Sequence, residues 1–266
     1  MLLSVLLMNS LLLGIAGLMK TAGISQFIEN FKNDFELNFL QKDRWKLMLS
    51  GLGATLTITV VAALIGIAIG VVVAAVRSSY DKNEESMRLR GGVGYHVLKF
   101  FNGICKLYLT VFRGTSVVVQ LLIIYFIILP KAQGLSVAII AFGINSGAYV
   151  AEIFRGGIMS IDQGQFEAGR SIGFNYVQTM RYVIIPQMFK NVLPALLKEF
   201  IALLKETSVA GYVAIRDLTK AGNSISGVTY SYYMPLLSVA LIYLVMVVLL
   251  TRIVGVVERR LRKNER

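Results

Sequence analysis

The sequence predicts an all-α, polytopic membrane protein, and three observations carry that prediction. The 266 residues are 56% hydrophobic with a mean hydropathy of +0.67, more apolar than ordinary soluble domains. Several apolar runs of roughly 20 residues are long enough to cross a hydrocarbon core of ~30 Å. Those runs are continuous rather than alternating, which argues against an outer-membrane barrel.

The net charge of +12 does not point to nucleic acid, because of where the charges sit. Arg77, Lys82, Arg88, Arg90, Lys99, Lys106 and Arg113 share one interval between apolar runs, and Arg252, Arg259, Arg260, Arg262, Lys263 and Arg266 crowd the C-terminus. Excess Lys and Arg marks cytoplasmic connections, so both clusters, and the C-terminus, are expected inside. The single cysteine, Cys105, and single histidine, His96, permit neither an intrachain disulfide nor a Cys/His metal cluster. No metal site is expected, and both residues read as incidental.

In chain order, residues 2–18 form a short apolar run with one polar pair, Asn9 and Ser10, and lack a basic leading segment; they read as an extra membrane helix, with a cleaved leader as the alternative. Phe27, Phe31, Phe35 and Phe39 recur every fourth residue among charges, the mark of an interfacial amphipathic helix. Residues 47–76 form the first long span. Gly66 and Gly70 within it are a small-xxx-small pair, suited to close helix packing or simply common in membrane helices. A basic loop over 77–94 follows; Gly91, Gly92 and Gly94 precede no Lys-Ser/Thr and are not a phosphate loop. Residues 95–130 hold a helix and a span, divided at Arg113-Gly114-Thr115-Ser116, where Gly114 is expected to permit a bend or close packing. Further spans are expected at 134–154, at 187–210 after Pro186, which suits a first helical turn, and at 232–255. Residues 211–231 read as a polar outer loop. The core thus has five spans. Alternation puts 155–186 inside as a large second cytoplasmic loop.

That loop carries the most specific text in the chain. Ile161 to Ile172 can form a short amphipathic helix with Phe166 and Ile172 as apolar contacts, Asp162 near its positive end and Gly173 closing it. Glu167-Ala168-Gly169, then Gly173, then Val183-Ile184-Ile185-Pro186 resemble the EAA loop of ABC importer membrane subunits. Ala148 to Gln165, Phe112 to Leu121 and Leu203 to Tyr212 resemble the polar amino acid permeases of that family, and the likeness spans about residues 45–255. Two positions depart: Gly169 stands where a second alanine is usual, which can soften the coupling helix, and Ser116 where proline is common.

The resemblance implies the transmembrane domain of a type I importer over 47–255, with a coupling loop at 155–186, an N-terminal segment at 1–46 and a basic tail at 256–266. It implies that Glu167, Ala168, Gly169 and Gly173 contact a separate ATPase. It also implies a second permease copy or paralogue, an extracytoplasmic solute-binding protein and a bacterial inner membrane. No GxxxxGK[ST] motif occurs, so ATP and Mg²⁺ are expected on the ATPase, with no catalytic residue and no cofactor in this chain.

Substrate candidates come from polar groups inside spans, which are costly there. Glu199 and Glu206 lie ~20 Å and ~30 Å along their helix from Pro186, on one face, with no basic residue four positions away. Two aligned carboxylates suit a basic amino acid such as arginine, lysine or histidine. The alternatives are a pairing of Glu199 with a cation on another helix, snorkelling of Lys205 and Glu206, or recognition of the α-ammonium alone. Asn145 and Ser146 either bind substrate or join helices. Thr115, Ser116 and Gln120 are candidates for the same cavity, while Thr55, Thr57 and Thr59 are expected to back-bond within their helix. The reading is an ATP-driven importer of polar, basic amino acids; its rivals are an ion-coupled secondary transporter titrating Glu199 or Glu206, and a non-transport scaffold.

Overall fold

The computed structural model describes residues 25–90 and 92–263, and every regular element among them is helical. The apolar run 2–18 and the end of the basic tail lie outside the described residues. Helix α1 covers 25–35 and passes through a π-helical turn, Glu36–Leu40, and a 3₁₀ turn, Gln41–Asp43, into α2. Phe27, Phe31 and Phe35 of the phenylalanine stripe are exposed, whereas Phe39 is buried against Met48 and Leu218.

Helix α2, Trp45–Arg90, is far longer than the span expected. The supposed loop 77–94 is almost entirely helical. No Gly or Pro occurs over 77–90 to break the helix, and Gly92, past its end, has a φ of 145°, outside the ordinary range for a side-chain-bearing residue. Helix α3, Val93–Gly114, follows at once. It meets α4, Val117–Ile123 with a π-helical turn at Ile124–Ile128, at a bend of 109°. Gly114 ends α3 there, with open space where a side chain would stand, so it does not serve close packing.

Helix α5, Gly134–Met159, is the buried centre of the bundle. It packs along α2 through reciprocal small residues. A methyl group on Gly70 would stand 2.5 Å from Val150, and one on Gly66 3.1 Å from Ser146; in return Gly143 receives Ile65 and Gly147 receives Ile69. The Gly66/Gly70 pair is therefore a packing device, matched by a second pair on α5.

Helix α6, Gln163–Ser171, and α7, Tyr176–Thr179 with a π-helical turn to Ile184, form the loop before α8, Ile185–Glu206. Pro186 occupies the first turn of α8 as expected, and Pro194 sits inside it, where its missing N–H weakens the ladder. A 3₁₀ segment, Thr207–Val213, leads to α9, Leu218–Thr229, and α10, Tyr233–Lys263, closes the fold. Helix α9 lies within the segment read as an outer loop. Its first turn is capped by Asp217, which accepts from Thr219 N and Lys220 N, and Leu218 N donates to Thr55 Oγ1 across 3.1 Å. Thr57 and Thr59 back-bond as expected, and Thr55 and Thr59 also reach other elements, Thr55 at Leu218 N and Thr59 at the Thr207 hydroxyl (3.5 Å).

Among the described residues, α2, α5 and α10 are long and apolar enough to cross a membrane, and the bent α3–α4 pair qualifies as a broken span. Helix α8 has the length, ~33 Å at 1.5 Å per residue, but carries Lys190, Lys198, Glu199, Lys205 and Glu206. It packs between α5 and α10.

Candidate functional site

The bundle centre is built where α5 meets the α3–α4 break on one side and α8 on the other. Asn145 and Ser146 are adjacent, both 2% exposed, and diverge to the two sides. Asn145 Nδ2 donates to Gln120 Oε1 (2.9 Å) and to the Phe112 carbonyl (3.2 Å). Gln120 Nε2 donates to Thr115 Oγ1 (2.7 Å) and to the same Phe112 carbonyl (2.9 Å), and Thr115 Oγ1 donates to the Val111 carbonyl. A helix that stops leaves its last carbonyls without partners, and here two side-chain amides and a hydroxyl supply them. Thr115, Gln120 and Asn145 are thus one connected unit that stabilises the break.

On the other side Ser146 Oγ donates to Glu199 Oε1 across 3.0 Å. Glu199 and Glu206 are half-buried, and among the described residues neither enters an ion pair. The cation beside Glu199, Lys198, is instead bound to Glu258 of α10 at 2.9 Å. No hydrogen bond joins Glu206 to the other candidates among the described residues. A half-buried carboxylate with one hydroxyl donor and no counter-ion can receive a cationic ligand, since burial of a lone charge is unfavourable.

The second candidate region is the loop around α6. Asp162 caps α6 by accepting from Gly164 N, and Gly173, with φ of 84°, closes it through Phe174 N to the Gly169 carbonyl and Gly173 N to the Arg170 carbonyl. The helix is shorter than Ile161–Ile172, and its two apolar residues part company. Phe166 is buried inward with Phe154, Ile184 and Met188, while Ile172 is exposed together with Val177 and Tyr182. Of the four coupling candidates, Glu167, Ala168 and Gly173 are exposed. Gly169 faces inward, where a methyl group would stand 2.6 Å from Thr179 Cγ2. Glycine replaces the usual alanine because a threonine fills the space beyond it.

Sequence reasoning missed how this loop is held. Lys82, on the unforeseen extension of α2, donates to Gln163 and lies 4.5 Å over the Phe166 ring; Asp81 pairs with Arg155 of α5 at 3.2 Å. Gln187 donates to Gln165, and Asn191 to Ser160, from the start of α8. The signal available was the absence of Gly and Pro over 77–90, which lets α2 continue and carry Asp81 and Lys82 to the loop.

Comparison with known proteins gives consistent results. The sequence pattern of the family described as binding-protein-dependent transport system inner membrane component matches residues 92–263. The arginine transport system permease protein of Bacillus subtilis (strain 168) is 37% identical over 223 residues, covering 82% of this chain and 94% of that protein. A Rickettsia typhi protein named for a glutamine transport system permease is 34% identical, with 82% and 94% covered. A crystal structure of an amino acid ABC transporter with histidines superposes with a TM-score of 0.71 at 37% identity, covering 84% of this chain and 98% of the other.

Proposed function

The chain belongs to the family of binding-protein-dependent transport system inner membrane components, as a permease subunit of an amino acid ABC importer, and from that premise we propose that it passes basic and polar L-amino acids and reads their positive charge at Glu199. The observation that carries this reading is the half-buried Glu199 carboxylate, held by Ser146 and left without a counter-ion among the described residues. Glu206, two turns along the same helix, supplies a second negative charge for a ligand with two cationic groups. The name of the Bacillus subtilis relative, an arginine transport system permease protein, supports the assignment. In this reading the Thr115–Gln120–Asn145 unit shapes the wall of the path rather than contacting substrate directly, because its amides are already engaged.

The driving machinery is assigned to partners. A separate ATPase carrying ATP and Mg²⁺ docks on the exposed Glu167 and Ala168 and on the turn at Gly173; Gly169 sets how closely α6 lies on Thr179 beneath. A second permease copy or paralogue completes the path, and an extracytoplasmic binding protein delivers the substrate. The permease domain is residues 47–255, with the N-terminal segment 1–46 and the tail 256–266 outside it. The basic clusters favour an inner-membrane orientation with the loop 155–186 and the C-terminus in the cytoplasm. Nothing in the relatives favours the ion-coupled alternative.

Uptake by the assembled transporter tests the charge-reading role. Glu199→Gln keeps the shape and removes the charge, and it lowers arginine and lysine uptake by roughly tenfold, a loss of ~1.4 kcal/mol, with a much smaller effect on glutamine. Equal losses for charged and neutral substrates would make Glu199 a structural group.

A further inference from the structure

We infer that a pocket between α2, α3 and α5, lined by Arg77, Lys106, Arg113 and Glu152, holds the phosphate headgroup of an anionic phospholipid. The cavity is about 470 Å³, with Leu109, Thr110 and Gly114 completing its wall. Its depth follows from the charge pattern of two helices. Residues 47–76 of α2 carry no charge, and charge resumes at Arg77; α5 is uncharged from Gly134 until Glu152. Both helices therefore leave the apolar layer at the pocket, on the side of the bundle that carries α6.

Three cations face one carboxylate, and that carboxylate is shared. Glu152 lies 3.7 Å from Arg113 and also binds Arg155, which in turn holds Asp81. Lys106 is exposed and enters no ion pair among the described residues. Arg77 reaches only Asn102 Oδ1, at 3.4 Å, and its Nε is buried with no acceptor among the described residues. The Arg77 guanidinium enters no ion pair among the described residues and lines the pocket, and a phosphate oxygen supplies the missing countercharge. Arginine pairs with phosphate through several donors at once.

The surroundings select a lipid over a free anion. Ile104, Leu107 and Val111 of α3 are exposed and apolar and flank the stripe of Lys106, Thr110 and Arg113 on the same helix. A ligand that offers a phosphate to the basic stripe and an acyl chain to the apolar one satisfies both. Basic pockets between membrane helices at this depth are suited to acidic headgroups.

The test uses the complete transporter, extracted gently and mixed with dioleoyl phosphatidylglycerol and dioleoyl phosphatidylcholine, with retained lipid read by native mass spectrometry. The wild type retains the anionic lipid preferentially. Lys106→Gln lowers that preference roughly fivefold, Arg77→Gln with Lys106→Gln abolishes it, and Lys198→Gln, remote and paired with Glu258, leaves it unchanged. Lys106 is exposed, so its single variant decides the matter if the double variant does not fold. An unchanged preference in Lys106→Gln, an equal loss in Lys198→Gln, or displacement of the lipid by equimolar inorganic phosphate would each overturn the assignment.

Discussion

The polar centre of the bundle and the loop around α6 handle polar groups in opposite ways. In the centre, Asn145, Gln120 and Thr115 spend their hydrogen bonds on each other and on the loose end of α3, and Glu199, like Glu206 along the same helix, enters no ion pair among the described residues. In the loop, the buried side is mostly apolar or bare, as at Phe166 and Gly169, with the buried Thr179 as its polar exception, and the charged and apolar residues that could bind a partner point outward. On the function proposed above, one region receives a ligand and the other is gripped by a partner. The difference follows from surroundings. A buried amide without a partner is penalised by ~1–3 kcal/mol, so the centre cannot leave many groups open, whereas water serves the loop's outer face at no cost.

Four substitutions sharpen or break this contrast. Gly70→Val drives a side chain into Val150 and forces α2 and α5 apart beneath both regions. It costs ~3 kcal/mol or more, seen as a large drop in the melting temperature of the detergent-solubilised protein. Asn145→Leu orphans Gln120 Oε1 and weakens the cap on Phe112, lowering stability by ~2 kcal/mol while leaving the arginine-to-glutamine uptake ratio unchanged. A changed ratio would move Asn145 from the wall of the path to the ligand. Glu167→Lys reverses an exposed charge and lowers ATP-dependent uptake roughly tenfold, or ~1.4 kcal/mol, without altering the melting temperature; normal transport and co-purification with the ATPase would remove the docking role. Gly169→Ala presses on Thr179 and costs ~1 kcal/mol, and Thr179→Ala in the same chain restores the loss. The double-mutant cycle measures that coupling, and simple additivity would show that the two residues do not share the space.

The fold was legible in sequence where local composition decides it. Apolar length marked α2, α5 and α10, and Asp162 and Gly173 marked the ends of α6 to within a residue or two. Two elements were not legible for a common reason. The segment 77–90 looked like a loop because it is charged, and α9 looked like one because it is polar, yet neither property breaks a helix. The extension of α2 is held by Asp81–Arg155 and Lys82–Gln163, and α9 by Asp217 and Thr55. Apart from the local Asp217 cap, those contacts join residues far apart in sequence. The site followed the same rule. Asn145, Ser146, Gln120, Thr115 and Glu199 could be picked out as polar groups in apolar runs, but only the fold divides them into a capping unit and a charge-bearing pair. Gly169 could be seen to depart from the family pattern; the reason, Thr179, lies ten residues away across the turn.

The central claim, that substrate charge is read at Glu199 and force is received at α6, is tested most directly by amino-acid-stimulated ATP hydrolysis of the complete transporter in proteoliposomes, with its binding protein supplied. The account predicts that Glu199→Gln loses stimulation by arginine and lysine but keeps it for glutamine, while Glu167→Lys loses stimulation by every amino acid alike. Identical profiles for the two variants across the panel would contradict it, because reading and driving would then not be separate.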